Sequence, residues 1–141
     1  MKLLTPSSTW PATWVAVVAA VACMAGAAQA ATPAELLAAY TAQAKAPADA
    51  ARGEKFFNTV GAGELKLSCA SCHTANPTKL GRNELTEKRI KALAPAANAE
   101  RFTDRGKADG WFKTNCKDTV GRDCTAGEKA DVLAWLISLK P

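Results

Sequence analysis

Cys69-Ala70-Ser71-Cys72-His73 is the segment whose residue types and spacing could do chemistry. Two thiols three positions apart sit on one turn of backbone and can add across the two vinyl groups at one edge of a porphyrin. The next residue then places an imidazole under the iron, and the whole is the attachment pattern of a c-type haem. His73 is the expected proximal ligand, and its second ring N–H needs an acceptor, for which the carbonyl of Pro77 in the following loop is a candidate. Two other chemistries use such cysteines. A thioredoxin-like redox pair needs a βαβ setting, which this chain lacks. A four-thiolate zinc site would enlist Cys69, Cys72, Cys116 and Cys124, but seven residues separate the last two, against the two to four usual for zinc.

His73 is the only histidine among 141 residues, which excludes any site built on a histidine pair. The two methionines, Met1 and Met24, lie in a stretch that reads as an address. Lys2 gives a minimal positive start, Trp14 to Ala25 is an uncharged apolar run, and Ala28-Gln29-Ala30 fits a small-x-small cleavage site. Residues 1–30 are therefore expected to be a cleaved secretory signal, leaving one domain over residues 31–141. The apolar run is shorter than the roughly 20 residues of a membrane span, so no stable membrane insertion is expected after cleavage. Cleavage removes Cys23 and leaves Cys69, Cys72, Cys116 and Cys124; in the oxidising periplasm, Cys116 and Cys124 are expected to form a disulfide. The formal charge of +5 falls by one with Lys2. Export and the dispersion of the lysines argue against nucleic acid as a partner, and the positive surface favours an acidic one.

A small electron-transfer cytochrome c holds iron between His and Met. Residues 31–141 offer no Met and no second His. The sixth position is thus expected to be empty, filled by water, or held by a weaker or unusual donor: Asn, Lys, Tyr or the terminal amine. Asn115 stands out only for its place beside the expected Cys116–Cys124 bridge.

The elements that must position these residues read as helices. Thr32-Pro33-Ala34-Glu35 is a capped start, with Leu36, Leu37, Tyr40 and Ala44 on one face and Pro47 as the stop. A second helix is expected from about Ala48 to Val60, broken by Gly61-Ala62-Gly63. Asn76 to Arg82 reads as loop and Glu84 to Leu93 as a short charged helix ended by Pro95. Thr103-Asp104 opens a helix holding Trp111 and Phe112. Thr125 and Glu128 cap the last one, along which Val132, Leu133, Leu136 and Leu139 recur at helical spacing with Trp135 on the flank. No run alternates strictly enough for a strand. The expected fold is all-α, with Gly53 and Phe57 meeting Leu133 and Trp135.

The C-terminal half resembles the sphaeroides haem protein (SHP) family. The likeness rests on Leu93-Ala94-Pro95, Arg101-Phe102-Thr103-Asp104, Asn115-Cys116, Gly121-Arg122-Asp123-Cys124-Thr125 and Gly127-Glu128-Lys129-Ala130-Asp131. Pro33-Ala34-Glu35-Leu36 and Ala46-Pro47-Ala48-Asp49 extend it over nearly all of residues 31–141, and only Asn58 to Leu67 is less alike. The resemblance implies a class I cytochrome c-like domain around one covalent haem c. It also implies Asn115 as a sixth iron ligand, bound when oxidised and released on reduction, and the Cys116–Cys124 bridge beside it. The electron partner it implies is a dihaem cytochrome c.

The function expected from residues and resemblance together is that of a periplasmic monohaem cytochrome. It would pass single electrons and bind dioxygen or nitric oxide when reduced, with slow oxygen reduction as a side reaction rather than an enzymatic role. Two rivals remain beside the zinc module: a plain electron carrier with a tightly held sixth ligand, and a peroxidase or nitric oxide detoxifying enzyme. The last lacks a distal histidine for acid–base work.

Overall fold

Reciprocal side-chain caps fix where the first and last helices begin. In the computed structural model, which describes residues 31–141, Thr32 and Glu35 cap α1 (Pro33–Ala44), the Thr32 amide donating to Glu35 Oε2 at 2.7 Å and the Glu35 amide to Thr32 Oγ1 at 3.2 Å. Asp49 caps α2 (Ala50–Asn58). After the single-turn α3 (Cys69–His73), Asp104 caps α4 (Arg105–Val120), and the Thr125–Glu128 pair caps α5 (Ala126–Ser138). Each such cap satisfies amides that have no partner inside the helix and is worth about 1 kcal/mol. The expected signal segment, residues 1–30, lies outside the described residues. No helix among the described residues is long and apolar enough to cross a membrane.

Helix α5 is the centre of the packing. One cluster gathers Leu36 and Tyr40 of α1, Ala108 of α4, and Ala130 and Leu133 of α5; the other joins Phe57 of α2 to Val132, Trp135 and Leu136. Phe57 meets Trp135 as expected, ring centroids 4.9 Å apart, whereas Leu133 turns to the other cluster. The atoms nearest to where a Gly53 side chain would start are main-chain atoms of Asp131 and Val132. A Cβ at Gly53 would lie 2.0 Å from the Asp131 carbonyl oxygen, so α2 and α5 touch backbone to backbone there. Asp131, a residue only 7% exposed, secures the crossing, its carboxylate accepting from the Asp49 amide (2.6 Å), Arg52 Nε (2.8 Å) and Arg52 Nη2 (2.9 Å). On the opposite flank, Asp109 of α4 accepts from the buried Tyr40 hydroxyl (2.9 Å) and from Lys129 (3.0 Å), tying α1, α4 and α5 together.

The segment expected as a helix over Glu84 to Leu93 is instead a β-turn structure. Strands β1 (Gly81–Arg82) and β2 (Arg89–Ile90) pair antiparallel, Gly81 opposite Ile90. Asn83 decides the outcome: its Oδ1 accepts from the amides of Leu85 (3.0 Å) and Thr86 (2.8 Å), offering the backbone a turn in place of a helical ladder. Five of the ten residues from Glu84 to Leu93 are charged, which leaves little apolar surface for a helix to dock. Gly81, at the base of the hairpin, sits so close to α3 that a Cβ there would approach the Cys72 carbonyl oxygen to 2.2 Å.

The α2–α5 crossing yields two expected outcomes. Asp131→Ala strands the Asp49 amide and the Arg52 guanidinium; because Arg52 is largely in solvent, the loss is about 2 kcal/mol, read as a lower urea midpoint of the holoprotein. Gly53→Ala forces two main chains apart and destabilises the protein by about 1–3 kcal/mol, read at the same midpoint, with little compensation from helix propensity.

Candidate functional site

Ser68 and Ser71 make a capping box around α3, the Ser71 amide donating to Ser68 Oγ (3.2 Å) and the Ser68 amide to Ser71 Oγ (3.0 Å). This holds one helical turn without help from its length. Cys69 and Cys72 then lie three positions apart on that turn, with His73 next. All three line a cleft of about 420 Å³, within the size range of cofactor sites. Its apolar walls come from Phe56 and Phe57 of α2, Leu93, Phe112 of α4, and Val132 and Leu136 of α5. The turn of the hairpin and the C-terminal half of α4 complete the lining with polar groups.

Burial pushes the His73 imidazole down to about 4, and the Arg101 guanidinium adds to the shift. The ring is therefore neutral at ordinary pH, the state that ligates a metal. Its ring centroid lies 6.3 Å from that of Phe57. Burial raises the Cys69 thiol, with the Thr119 hydroxyl opposing part of the shift. Directly after His73, Thr74 takes φ 62°, a left-handed conformation that is uncommon for a β-branched residue. The Pro77 carbonyl, expected to receive the ring N–H of His73, accepts the amides of Leu93 (2.9 Å) and Ala94 (3.0 Å), and so anchors the chain beyond the hairpin.

Helix α4 supplies the other expected residues. Asn115 lines the same cleft, and its backbone carbonyl accepts from Thr119 Oγ1 at 2.8 Å. The adjacent Cys116 is disulfide-bonded to Cys124, Cα to Cα 5.7 Å. That bridge removes the four-thiolate zinc alternative, and among the described residues no cluster of three or more His, Cys, Asp or Glu side chains is placed to hold a metal ion. Tyr40, one of the donors left open for a sixth ligand, is fully buried between α1 and α4 and lies outside the cleft lining. Lys88 and Lys107 are within it. Arg101 also lines the cleft. In the sequence it stands out only as part of a family block, and no local spacing marks it, because its hydrogen bonds reach back to the carbonyls of Lys91 and Ala92.

Two thiols and a neutral imidazole on one turn, opening into a mostly apolar cleft, suit a covalently held porphyrin with one strong axial ligand. Residues 43–136 match the family described as a domain of unknown function, DUF1924. The chain is 48% identical over 107 residues to the cytochrome c-type protein SHP of Cereibacter sphaeroides, covering 74% of this chain and 82% of that protein. It is 45% identical over 73 residues to cytochrome c'' of Methylophilus methylotrophus, covering 52% and 51% of the two. The solved structure of oxidized SHP, an oxygen binding cytochrome c, superposes with a TM-score of 0.73 at 46% identity, over 77% of this chain and 98% of that one. Oxidized cytochrome c'' superposes with a TM-score of 0.68 at 36% identity, over 77% and 95%. Because identity and fold persist together across almost the whole of SHP, this chain belongs to the SHP family of c-type cytochromes, helical proteins that carry one covalently bound haem c.

Proposed function

We propose that this protein is an exported, periplasmic single-electron carrier. Cys69 and Cys72 hold the haem, His73 ligates its iron firmly, and Asn115 ligates it weakly enough to yield to dioxygen or nitric oxide on reduction. The haem supplies, when bound, a one-electron iron couple and an axial position suited to small diatomic molecules. The observation that carries the reading is that Asn115 and His73 line one cleft in a domain whose residues 31–141 contain no methionine and no second histidine. The neutral carboxamide of Asn115 is a weak donor, and the Cys116–Cys124 bridge beside it keeps this turn of α4 in place while the side chain rotates. Burial keeps His73 free of a competing proton. The apolar residues of α2 and α5 limit water.

With its one imidazole assigned to iron, the cleft has no histidine left to move protons, which favours a ligand-binding carrier over a peroxidase or a nitric oxide detoxifying enzyme. Slow reduction of dioxygen is a side reaction of the same site. The formal charge left after cleavage, +5 less the one of Lys2, favours an acidic redox partner, such as the dihaem cytochrome c implied by the family, with encounter slowing as salt rises. Residues 1–30 act as the cleaved export signal in this reading.

Optical and electron-spin spectra of the purified protein in both redox states, with and without nitric oxide, test the proposal. The reduced protein is expected to be high-spin and to change on adding the gas. A low-spin spectrum in both states, indifferent to nitric oxide, would overturn it and point to a tightly held ligand, for which Lys88 and Lys107 are placed in the cleft lining. Asn115→Ala is expected to alter the ferric spectrum while haem stays attached; an unchanged ferric spectrum acquits Asn115.

A further inference from the structure

One charged group of the cleft has no part in ligating iron. Arg101 precedes α4, and its guanidinium is fastened at two corners: Nε donates to the Ala92 carbonyl at 3.0 Å and Nη2 to the Lys91 carbonyl at 2.8 Å. Both acceptors are neutral, so they aim the group without cancelling its charge. Among the described residues no carboxylate pairs with it; the neighbouring Glu100 carboxylate reaches Lys91 instead, at 3.4 Å. Burial lowers the pKa of the guanidinium, as expected of a cation partly stripped of water, and its charge is felt at His73. The other cations of the lining, Lys88 and Lys107, are exposed and remain hydrated.

The backbone marks the same place. Phe102, directly after Arg101, takes φ 59°, much as Thr74 does directly after His73. Bulky side chains rarely adopt this conformation, and such strain persists where surrounding structure demands it, often at functional sites. A part-buried cation clamped by carbonyls is costly unless an anion meets it. The anions that a haem brings into the cleft are its two propionates, and a guanidinium fork matches a carboxylate with two parallel hydrogen bonds.

We propose that Arg101 binds a haem propionate through its remaining N–H groups, orienting the cofactor in the cleft and raising the potential at which its iron is reduced. The proposal rests on the haem lying in this cleft. Arg101 is a positioning residue: it acts on the iron through the propionate and through its own field. Without it, an uncompensated propionate charge stabilises ferric iron.

The test uses the holoprotein with Arg101→Gln and Arg101→Lys. Arg101→Gln is expected to keep its haem while its midpoint potential falls by roughly a tenfold shift in the reduction equilibrium, about 59 mV for one electron. Arg101→Lys, which keeps the charge but not the fork, is expected to recover most of that fall. In its resonance Raman spectrum the propionate bending band should move to the position of a weaker hydrogen bond. A merely structural strap predicts something else: a lower unfolding midpoint in Arg101→Gln with the wild-type potential. That result overturns the proposal. Should Arg101→Gln fail to take up haem, the lysine variant decides, since a propionate band unchanged from wild type overturns the assignment equally. A wild-type protein that carried no haem would instead sink the reading of the cleft itself, and this proposal with it.

Discussion

Helices α2 and α5 meet main chain to main chain at Gly53, and the position of the cleft follows from that contact. With no side chain between them, the two helices come close enough for the Phe57 and Trp135 rings to pack at 4.9 Å. Phe56 and Phe57 on one helix and Val132 and Leu136 on the other then line the apolar side of the cleft. Asp131 acts on the same crossing by other means. A carboxylate nearly removed from water is tolerable because three donors converge on it, two of them from an arginine whose far side remains solvated. The site inherits its walls from an arrangement that has no chemical role.

Around those walls the donors are unequal. One imidazole, kept unprotonated by burial, faces into a space where methionine is lacking and the sole tyrosine is committed to Asp109. What is left for iron's other side is a set of weak or strongly hydrated groups. In the proposed reading such an imbalance lets one protein be both an electron carrier and a receptor for a small gas, since a strong second ligand would favour the first role at the expense of the second. Of the relatives, SHP is an oxygen binding cytochrome c.

How far the sequence reveals this depends on how local the physics is. The capping boxes at Thr32 and Thr125 are complete within four residues, and both helices begin where those residues place them. The thiol-and-imidazole turn is equally local and legible without any homologue. Asn115 is not, because nothing in its neighbourhood separates it from an ordinary asparagine; the family resemblance singled it out. The hairpin reads as a helix in the sequence because Asn83 captures amides that helical periodicity assigns to a ladder, and because the seat of Gly81 on the Cys72 carbonyl is invisible at short range. Leu133 joins the cluster of Leu36 and Tyr40 rather than that of Phe57 for a similar reason. Two apolar faces of one helix serve two clusters, and spacing alone does not say which residue serves which.

The disulfide has a consequence for biogenesis. In the proposed reading, the four cysteines of residues 31–141 have opposite fates: Cys116 and Cys124 are oxidised to the bridge, while Cys69 and Cys72 must stay reduced until each sulfur has bonded to the haem. Cys69 and Cys72 are only three positions apart, so an oxidant strong enough to join the distal pair could also close a small ring on the proximal one. Production of this protein in a foreign host is therefore governed by two opposed redox activities, one supplying electrons to the first pair and one withdrawing them from the second.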